Sequence, residues 1–210
     1  MTESTDQRLV KGARSRQAIA RRAADVASVE GLTGLSIGKL ATDLGLSKSG
    51  IATLFGSKEK LQLAAVEAAR QVFIDEVIAP ALRAERGTPR LRQLLANWLA
   101  YAGRPVFPGG CFRVATVAEF DSRPGVVRDA IMQDRHDWLE FLAGEVKTAQ
   151  RSGDFPGADP DFVAFHLEAV LAATNVAMRL GDDTAAPRAQ ALLGQIIGQP
   201  VSTAPTGVIS

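Results

Sequence analysis

Two short helical patterns, each preceded by a serine and followed by a glycine, occupy residues 35–60 and constrain the fold more than any other feature of the chain. The residues that frame them are Ser36 and Gly45, then Ser47 and Gly56. Serine at the N-cap accepts a hydrogen bond from the first turn of a helix, and glycine adopts the left-handed conformation that ends one. We therefore expect two helices of about two turns each, joined by a tight turn.

The second of these helices is expected to expose a small, polar face. That face consists of Lys48, Ser49, Gly50 and Thr53, whereas the core between the two helices is expected to consist of Leu40, Leu44, Leu46 and Ile51. A turn that contains glycine, followed by a helix with small polar residues at its N-terminal end, is typical of a helix-turn-helix. In that motif the second helix enters the major groove of double-stranded DNA, where base edges can be distinguished.

Two kinds of DNA contact follow from this interpretation. We expect the bases to be contacted by Lys48, Ser49, Gly50 and Thr53. Lys48 is the candidate for a guanine, and Thr53 offers either its hydroxyl or, to a thymine, its methyl group. A second set of residues is expected to contact phosphates. Such contacts contribute affinity and salt dependence but no sequence specificity. The members of that set are Lys11, Arg14, Arg16, Ser36, Ser47 and Lys58.

Charge is divided unevenly along the chain, whose formal net charge is only +1. Residues 1–60 carry 10 Lys and Arg against 6 Asp and Glu, and the remaining 150 residues carry 14 against 17. Six of the basic residues lie from Arg8 to Arg22, and this stretch contains no acidic residue. A basic head of this kind fits contact with a polyanion, although charge alone fits a solvated basic tail equally well.

Helical periodicity continues through the rest of the chain, and the alternation typical of half-buried strands is sparse. We predict an all-α fold of about nine helices and no sheet. A first helix is expected to end at Gly31. Later helices are predicted at 57–79, 90–102, 111–120, 126–151, 161–180 and 187–197.

The sequence offers little for catalysis. One cysteine and two histidines are too few for a multi-ligand zinc site. The chain also lacks a Gly-x-Ser-x-Gly turn and a phosphate-binding glycine loop. We therefore expect no catalytic residue, no metal, no cofactor and no enzymatic activity. Because no run of about eighteen apolar residues and no apolar signal segment is present, we expect a cytoplasmic protein that is not associated with a membrane.

Three stretches together resemble the TetR family of transcriptional repressors. They are the helix that ends at Glu30–Gly31, the sequence LSIGKLATDLGLSKSG at 35–50, and the closing FGSKE at 55–59. The resemblance implies an all-helical homodimer with three N-terminal helices for DNA and a larger C-terminal domain that dimerises and binds a small-molecule inducer. It also implies a repressor that binds a palindromic operator and is released by the inducer. The domains expected on this basis are a flexible arm at 1–12, a helix-turn-helix DNA-binding domain at 13–57, a ligand-binding and dimerisation domain at 58–198, and a flexible tail at 199–210.

The second helix of the motif departs from the family pattern. The family usually has aromatic residues in a stretch where this chain has isoleucine, alanine, threonine and leucine, at residues 51–54. Phosphate contacts from tyrosine hydroxyls are therefore missing, and Lys48, Thr53 and Lys58 are expected to replace them. Two alternatives stay open: a ligand-binding or scaffold protein of the same fold with a degenerate DNA head, or a transcriptional activator.

The resemblance also points to two sets of residues in the C-terminal domain. Candidates for the inducer pocket are Phe73, Trp98, Tyr101, Phe107, Cys111, Phe112, Trp138 and His166. Candidates for the dimer interface are Phe162, Phe165, Leu171, Leu180, Leu192, Leu193 and Ile196. Aromatic residues at helical spacing also fit a plain core, His166 fits a core or an interface, and Cys111 fits either a redox sensor or a buried, inert thiol. Packing within one chain is the alternative to a dimer.

Overall fold

The computed structural model describes the backbone of residues 2–202 and the side chains of residues 12–202. Over that part of the chain the fold is all α, without a strand, so the predicted fold class is confirmed. The helices are α1 (Thr2–Glu30), α2 (Ile37–Leu44), α3 (Lys48–Phe55), α4 (Lys58–Phe73), α5 (Ala79–Ala81), α6 (Thr88–Gly103), α7 (Phe112–Phe120), α8 (Val126–Gln150), α9 (Pro160–Arg179) and α10 (Ala185–Ile197). Apart from the three-residue α5, these are nine helices within the described residues, the number that the periodicity predicts.

A π-helical turn, Ile74–Ile78, joins α4 to α5. Proline has no N–H, and its ring conflicts with the carbonyl four residues earlier in an α-helix. Because Pro80 would place that conflict at Glu76, the regular α-helical pattern does not continue through this segment. The sequence predicted one helix that ends before the proline. The structure instead carries the helical path past it by changing the hydrogen-bond pattern.

The first helix is longer than predicted. Its backbone is helical from Thr2, through the range 1–12 where we expected a flexible arm, and it ends at Glu30 as expected. Gly31 follows with φ of +76°, the left-handed conformation that favours glycine. The side chain of Lys11 and residues 203–210 lie outside the described part of the chain, and the expected phosphate contact and flexible tail therefore stay predictions.

The chain divides into two compact units. The first combines the residues up to Val72 with Phe107–Met132, and the second combines Phe73–Val106 with the residues from Gln133 onward. In the first unit α7 packs against α1, and α2 and α3 pack against each other and against α1. The boundary expected between residues 57 and 58 concerns function rather than compactness, and it stays a prediction.

Small apolar residues allow the helices of the first unit to approach closely. Ala23 and Ala27 of α1 are completely buried, as are Leu40 of α2 and Ile51 of α3. Leu46, which we expected in the same core, is 46% exposed, so that expectation was wrong. It lies in the turn between α2 and α3, where the chain runs along the surface.

The second unit contains a buried carboxylate that fixes the start of α6. Glu145 of α8 is 1% exposed, and its Oε2 accepts a hydrogen bond from the backbone N–H of Gly87 at 2.7 Å. Its Oε1 lies 3.2 Å from Arg86 Nε and 3.3 Å from Arg90 Nη1. A buried charge is tolerated when it is paired and hydrogen-bonded in this way.

Candidate nucleic-acid interface

The two helices of the motif are framed by the caps that the sequence predicts. Ser36 Oγ accepts a hydrogen bond from the first turn of α2 at 3.5 Å, and Ser47 Oγ accepts one from Gly50 N–H at 3.0 Å. Gly45 ends α2 in the left-handed conformation with φ of 63°, and Gly56 ends α3 with φ of 74°. The helix-turn-helix is therefore confirmed in its helices, its caps and its turn.

The outer face of α3 is small and exposed. It consists of Lys48, Ser49, Gly50, Ala52 and Thr53. The opposite face of α3, with Ile51 and Phe55, is buried. The four residues predicted to contact bases are thus brought together on one surface with Ala52, and no aromatic side chain of α3 stands beside them. Their contacts with bases stay a prediction.

The hydroxyl groups of this face are hydrogen-bonded within the protein. Thr53 Oγ1 donates to the carbonyl oxygen of Ser49 at 2.8 Å. Ser49 Oγ in turn donates to Ser47 Oγ at 3.3 Å. Because each hydroxyl has a single hydrogen, both are directed at protein atoms. The oxygen lone pairs and the Thr53 methyl group are what this face offers to a bound molecule.

Two of the predicted phosphate-binding cations are engaged by the protein backbone. Arg16 Nη1 donates to the carbonyl of Leu54 at 2.6 Å, and the guanidinium lies 4.5 Å from the centre of the Phe55 ring. Lys58 Nζ donates to the carbonyl of Thr33 at 2.5 Å. Both side chains therefore hold the ends of the motif in place. Arg14 is exposed, as Arg16 and Lys58 are.

Other basic residues near the motif are paired with carboxylates. Arg22 of α1 binds Asp43 of α2, with Nη2 at 2.5 Å and Nε at 3.1 Å from Oδ2. Arg21 pairs with an aspartate one turn further along α1, and Lys39 pairs with Glu30. The positive charge counted along the N-terminal sequence is therefore partly neutralised at the surface of the folded unit.

The turn between α1 and α2 is held from a distance by Glu119 of α7. Its two carboxylate oxygens accept hydrogen bonds from the backbone N–H of Leu32 at 2.7 Å and of Thr33 at 2.8 Å. From α4, Gln62 Nε2 donates to the Leu32 carbonyl at 2.9 Å, beside the contact from Lys58. Sequence reasoning missed Glu119, because no local pattern links residues that lie 86 and 87 positions apart.

The eight candidates for an inducer pocket are divided between the two units. Phe107, Cys111 and Phe112 belong to the first unit, and the other five belong to the second. In the second unit Phe73 packs edge-on against Tyr101 and Trp138, with ring centres 5.7 and 5.1 Å apart. Trp98 is also buried there, at 2% exposed. His166 is exposed, so a place in the core was wrong for it, and its part in a pocket stays a prediction.

Cys111 is buried in the first unit, at 1% exposed. Of the two alternatives, its surroundings favour the buried thiol, because a redox sensor needs access to solvent.

Two grooves lie in the second unit. One of about 370 Å³ lies between α9 and α10, and one of about 580 Å³ lies between α8 and α9. Neither groove is lined by any of the eight candidates.

The residues proposed for a dimer interface separate into exposed and buried groups. Phe162, Phe165, Leu180 and Leu192 are 66, 57, 82 and 48% exposed, and Ile196 is half-buried. Leu171 and Leu193 are at most 1% exposed and pack within the chain, so their assignment to an interface was wrong.

By length and composition, α9 would also qualify as a membrane span. Core helices of soluble proteins pass the same test.

Comparison with known proteins identifies the C-terminal part of the chain. A family model described as "Tetracyclin repressor-like, C-terminal domain" matches residues 87–193, just over half of the 210 residues. No protein of curated function matches the sequence. The N-terminal helix-turn-helix lies before the matched range, and its geometry therefore adds independent support.

Solved structures of similar fold cover nearly the whole chain. A TetR transcriptional regulator from Chloroflexus aurantiacus J-10-FL has 29% identity and a TM-score of 0.81, covering 92% of this chain and 99% of its own. A TetR-family regulator from Cytophaga hutchinsonii has 24% identity and a TM-score of 0.75, covering 92% and 98%. AibR, solved with isovaleryl coenzyme A and operator DNA, has 18% identity and a TM-score of 0.69, covering 88% and 98%.

The capped helix-turn-helix, the all-helical fold around it and the match across residues 87–193 lead to one conclusion. The chain belongs to the TetR family of transcriptional regulators.

Proposed function

We propose that the protein is a ligand-responsive transcriptional repressor, which binds a palindromic operator as a homodimer and is released by a small-molecule inducer. The observation that carries this proposal is the outer face of α3, which exposes only small or cationic side chains between two capped ends. A helix with such a face can approach the base edges of the major groove closely. The proposal includes a cytoplasmic location, where the operator lies, and no enzymatic activity.

The DNA contacts proposed are of two kinds. Lys48, Ser49, Gly50 and Thr53 are assigned to bases because all four are exposed on α3. The cap residues Ser36 and Ser47 and the exposed Arg14 are assigned to phosphates, together with Lys11. Arg16 and Lys58 are assigned first to positioning the motif, because each already donates to a backbone carbonyl. A phosphate contact from either would be an additional bond from its remaining N–H groups.

A homodimer is proposed through α9 and α10. Their large exposed apolar side chains include Phe162, Phe165 and Leu180, and exposed apolar residues that lie together mark sites of protein–protein contact. The groove between the two helices is lined largely by alanines such as Ala169 and Ala173, which permit close helix packing. The ring of His166 lies 6.2 Å from that of Phe162, and we place it in this interface rather than in a pocket. Two such helix pairs form a four-helix bundle.

An inducer site is proposed in the second unit, at the aromatic group formed by Phe73, Tyr101 and Trp138, with Trp98 in the same core. Ligand sites are commonly lined by aromatic side chains with a few polar groups. AibR, which shares this fold, was solved with isovaleryl coenzyme A as well as operator DNA.

Binding to the DNA upstream of the protein's own gene tests the proposal. We expect tight binding that is specific for a palindrome and falls steeply as salt rises, since each phosphate contact releases counterions. A compound that lowers this affinity identifies the inducer class, and in vitro transcription from the bound promoter separates repression from activation. Weak binding without sequence preference would overturn the proposal and favour a ligand-binding protein with a degenerate DNA head.

A further inference from the structure

We propose that the centre of α3 selects A·T base pairs, and that the Thr53 methyl group contacts the methyl group of a thymine in each operator half-site. This inference rests on the proposed function, because it concerns the same helix and the same groove. It adds the class of base that the helix recognises and the side-chain atom that recognises it.

The position of Thr53 on the helix is the first step. Ile51 and Phe55 are buried, which fixes the opposite side of α3 as the one that faces outward. At about 100° per residue, Ser49 and Thr53 point most directly away from the buried side. Lys48 lies nearer the edge, where its Nζ and Cε are 3.5 and 3.3 Å from the point that a Cβ on Gly38 would occupy. The centre of the reading surface is therefore Ser49 and Thr53.

The hydrogen bonds of this pair determine what it can recognise. The Thr53 hydroxyl hydrogen is directed to the Ser49 carbonyl, and the Ser49 hydroxyl hydrogen to Ser47 Oγ. Neither is then available to donate to guanine, which presents only the acceptors N7 and O6 in the major groove. The oxygen lone pairs of Ser49 and Thr53 can accept from the amino group of adenine or of cytosine, so they do not choose between the two base pairs. The group that makes the choice is the Thr53 methyl, which matches the C5-methyl that only thymine presents in the major groove.

Neighbouring residues favour this close contact. Gly50 and Ala52, on either side of the central pair, are exposed and add at most a methyl group. No long side chain of the central face holds the helix away from the base edges, so a short methyl group can reach them. A guanine contact is left only at the edge, through Lys48, the one cation on the exposed face of α3.

Two matched substitutions separate the methyl group from the hydroxyl. Thr53→Val keeps a methyl branch and removes the hydroxyl, whereas Thr53→Ser keeps the hydroxyl and removes the methyl. The operator is first selected from random double-stranded DNA with the wild-type protein. Each thymine of the selected site is then replaced by deoxyuridine, which lacks only the C5-methyl group, and dissociation constants are measured for all three proteins. Thermal unfolding of each variant verifies that the fold is retained.

We expect one deoxyuridine position in each half-site to weaken wild-type binding by about threefold to tenfold, the effect of removing one buried methyl group. Thr53→Val should keep this sensitivity to deoxyuridine at the same position, because it keeps the methyl branch. Thr53→Ser should bind more weakly to the thymine site and lose the sensitivity at that one position. This pattern assigns the contact to the two methyl groups.

The opposite pattern overturns the inference. If Thr53→Ser binds like the wild type and remains sensitive to deoxyuridine, or if Thr53→Val loses that sensitivity, the Thr53 methyl group is not what contacts the thymine. A selected site that is indifferent to every deoxyuridine overturns the inference while leaving the repressor proposal intact. Failure of the selection to enrich any sequence overturns the repressor proposal itself, and this inference with it.

Discussion

The Glu119 carboxylate of α7 accepts hydrogen bonds from both the backbone N–H and the hydroxyl of Thr33, the former at 2.8 Å. Its other oxygen accepts from the neighbouring Leu32 N–H at 2.7 Å. The turn bound in this way leads directly into α2, the first helix of the helix-turn-helix. A side chain outside the motif thus fixes the point at which the motif begins.

Substitution of Glu119 should destabilise the first unit. Glu119→Gln removes the charge that strengthens three hydrogen bonds and replaces one acceptor oxygen with an NH2 donor, and Glu119→Ala removes both acceptor oxygens and all three hydrogen bonds. Because hydrogen bonds to charged groups contribute about 1.5–3 kcal/mol, we expect the free energy of unfolding to fall by about 1–2 and 2–3 kcal/mol. Urea denaturation measures both. Glu140→Gln is the matched control, since its carboxylate is 68% exposed, and equal stability of Glu119→Gln and Glu140→Gln would contradict the account.

Gly109 should not tolerate a side chain. A Cβ at this position would lie 1.7 Å from the backbone oxygen of Ser28, a position that cannot move without disturbing α1. We expect Gly109→Ala to lower the free energy of unfolding by about 3 kcal/mol or more, or to prevent folding. Gly144→Ala is the control, because a Cβ there meets no atom within 4 Å and lies inside α8. That variant should be as stable as the wild type or about 1 kcal/mol more stable.

Arg14 and Arg16 should affect different measurements. Arg14 is exposed, so Arg14→Ala should leave thermal unfolding unchanged and reduce the slope of log K against log salt by about 0.9 for each phosphate that is no longer bound. Arg16 holds the Leu54 carbonyl and stacks on Phe55, so Arg16→Ala should lower the unfolding free energy by about 1–2 kcal/mol. Identical effects of the two substitutions on stability would show that Arg16 does not stabilise the motif.

Charge placed on the exposed face of α9 should prevent dimerisation. Phe165 is 57% exposed, and Phe165→Glu would bury an unpaired carboxylate in the proposed four-helix bundle. We expect a monomer by sedimentation velocity. Operator binding should be weak, because the helix-turn-helix domains of two protomers are then no longer linked. Leu82→Glu is the matched control, since Leu82 is 50% exposed but lies outside α9 and α10. A dimeric Phe165→Glu protein would place the interface elsewhere.

The pKa of Asp182 should depend on Thr184. The hydrogen bond from the Thr184 hydroxyl at 2.6 Å, then that from its backbone N–H at 2.9 Å, lowers the pKa of Asp182 below its ordinary value. Because the folded pKa is the lower one, the stabilisation is present above the unfolded pKa and is lost as pH falls through the folded pKa. NMR titration of the carboxyl carbon should show the pKa rise in Thr184→Ala and stay low in Thr184→Ser. An unchanged pKa in Thr184→Ala would contradict this assignment.

Features encoded by a few adjacent residues were predictable from the sequence. Ser36 and Ser47 cap their helices, and Gly45 ends the first, because capping depends on residues within one turn. The Glu119 contact was not predictable, because it joins elements far apart in the chain and has no local pattern. The commitment of the Thr53 hydroxyl to Ser49 depends on a side-chain rotamer, which the sequence leaves open.

Burial on α9 and α10 was predicted only in part, for a related reason. Apolar residues occur around much of α9, so periodicity does not distinguish the face packed within the chain from the face left exposed. Leu171 and Phe165 both fitted an interface by this criterion, yet one is 1% and the other 57% exposed. The same difficulty made a core position one of the alternatives for His166, although its side chain is exposed. Only tertiary packing separates these positions.

Binding to a selected palindrome and to one of its half-sites tests the central claim most directly. The measurement compares dissociation constants and stoichiometry for the full palindrome, a single half-site and a shuffled duplex, at several salt concentrations. The account predicts that two protomers bind the palindrome. Binding to the single half-site should be about a hundredfold weaker, because the helix-turn-helix domain of the second protomer then has no half-site to bind. Equal affinity for all three duplexes would contradict the claim that this chain is a sequence-specific DNA-binding regulator.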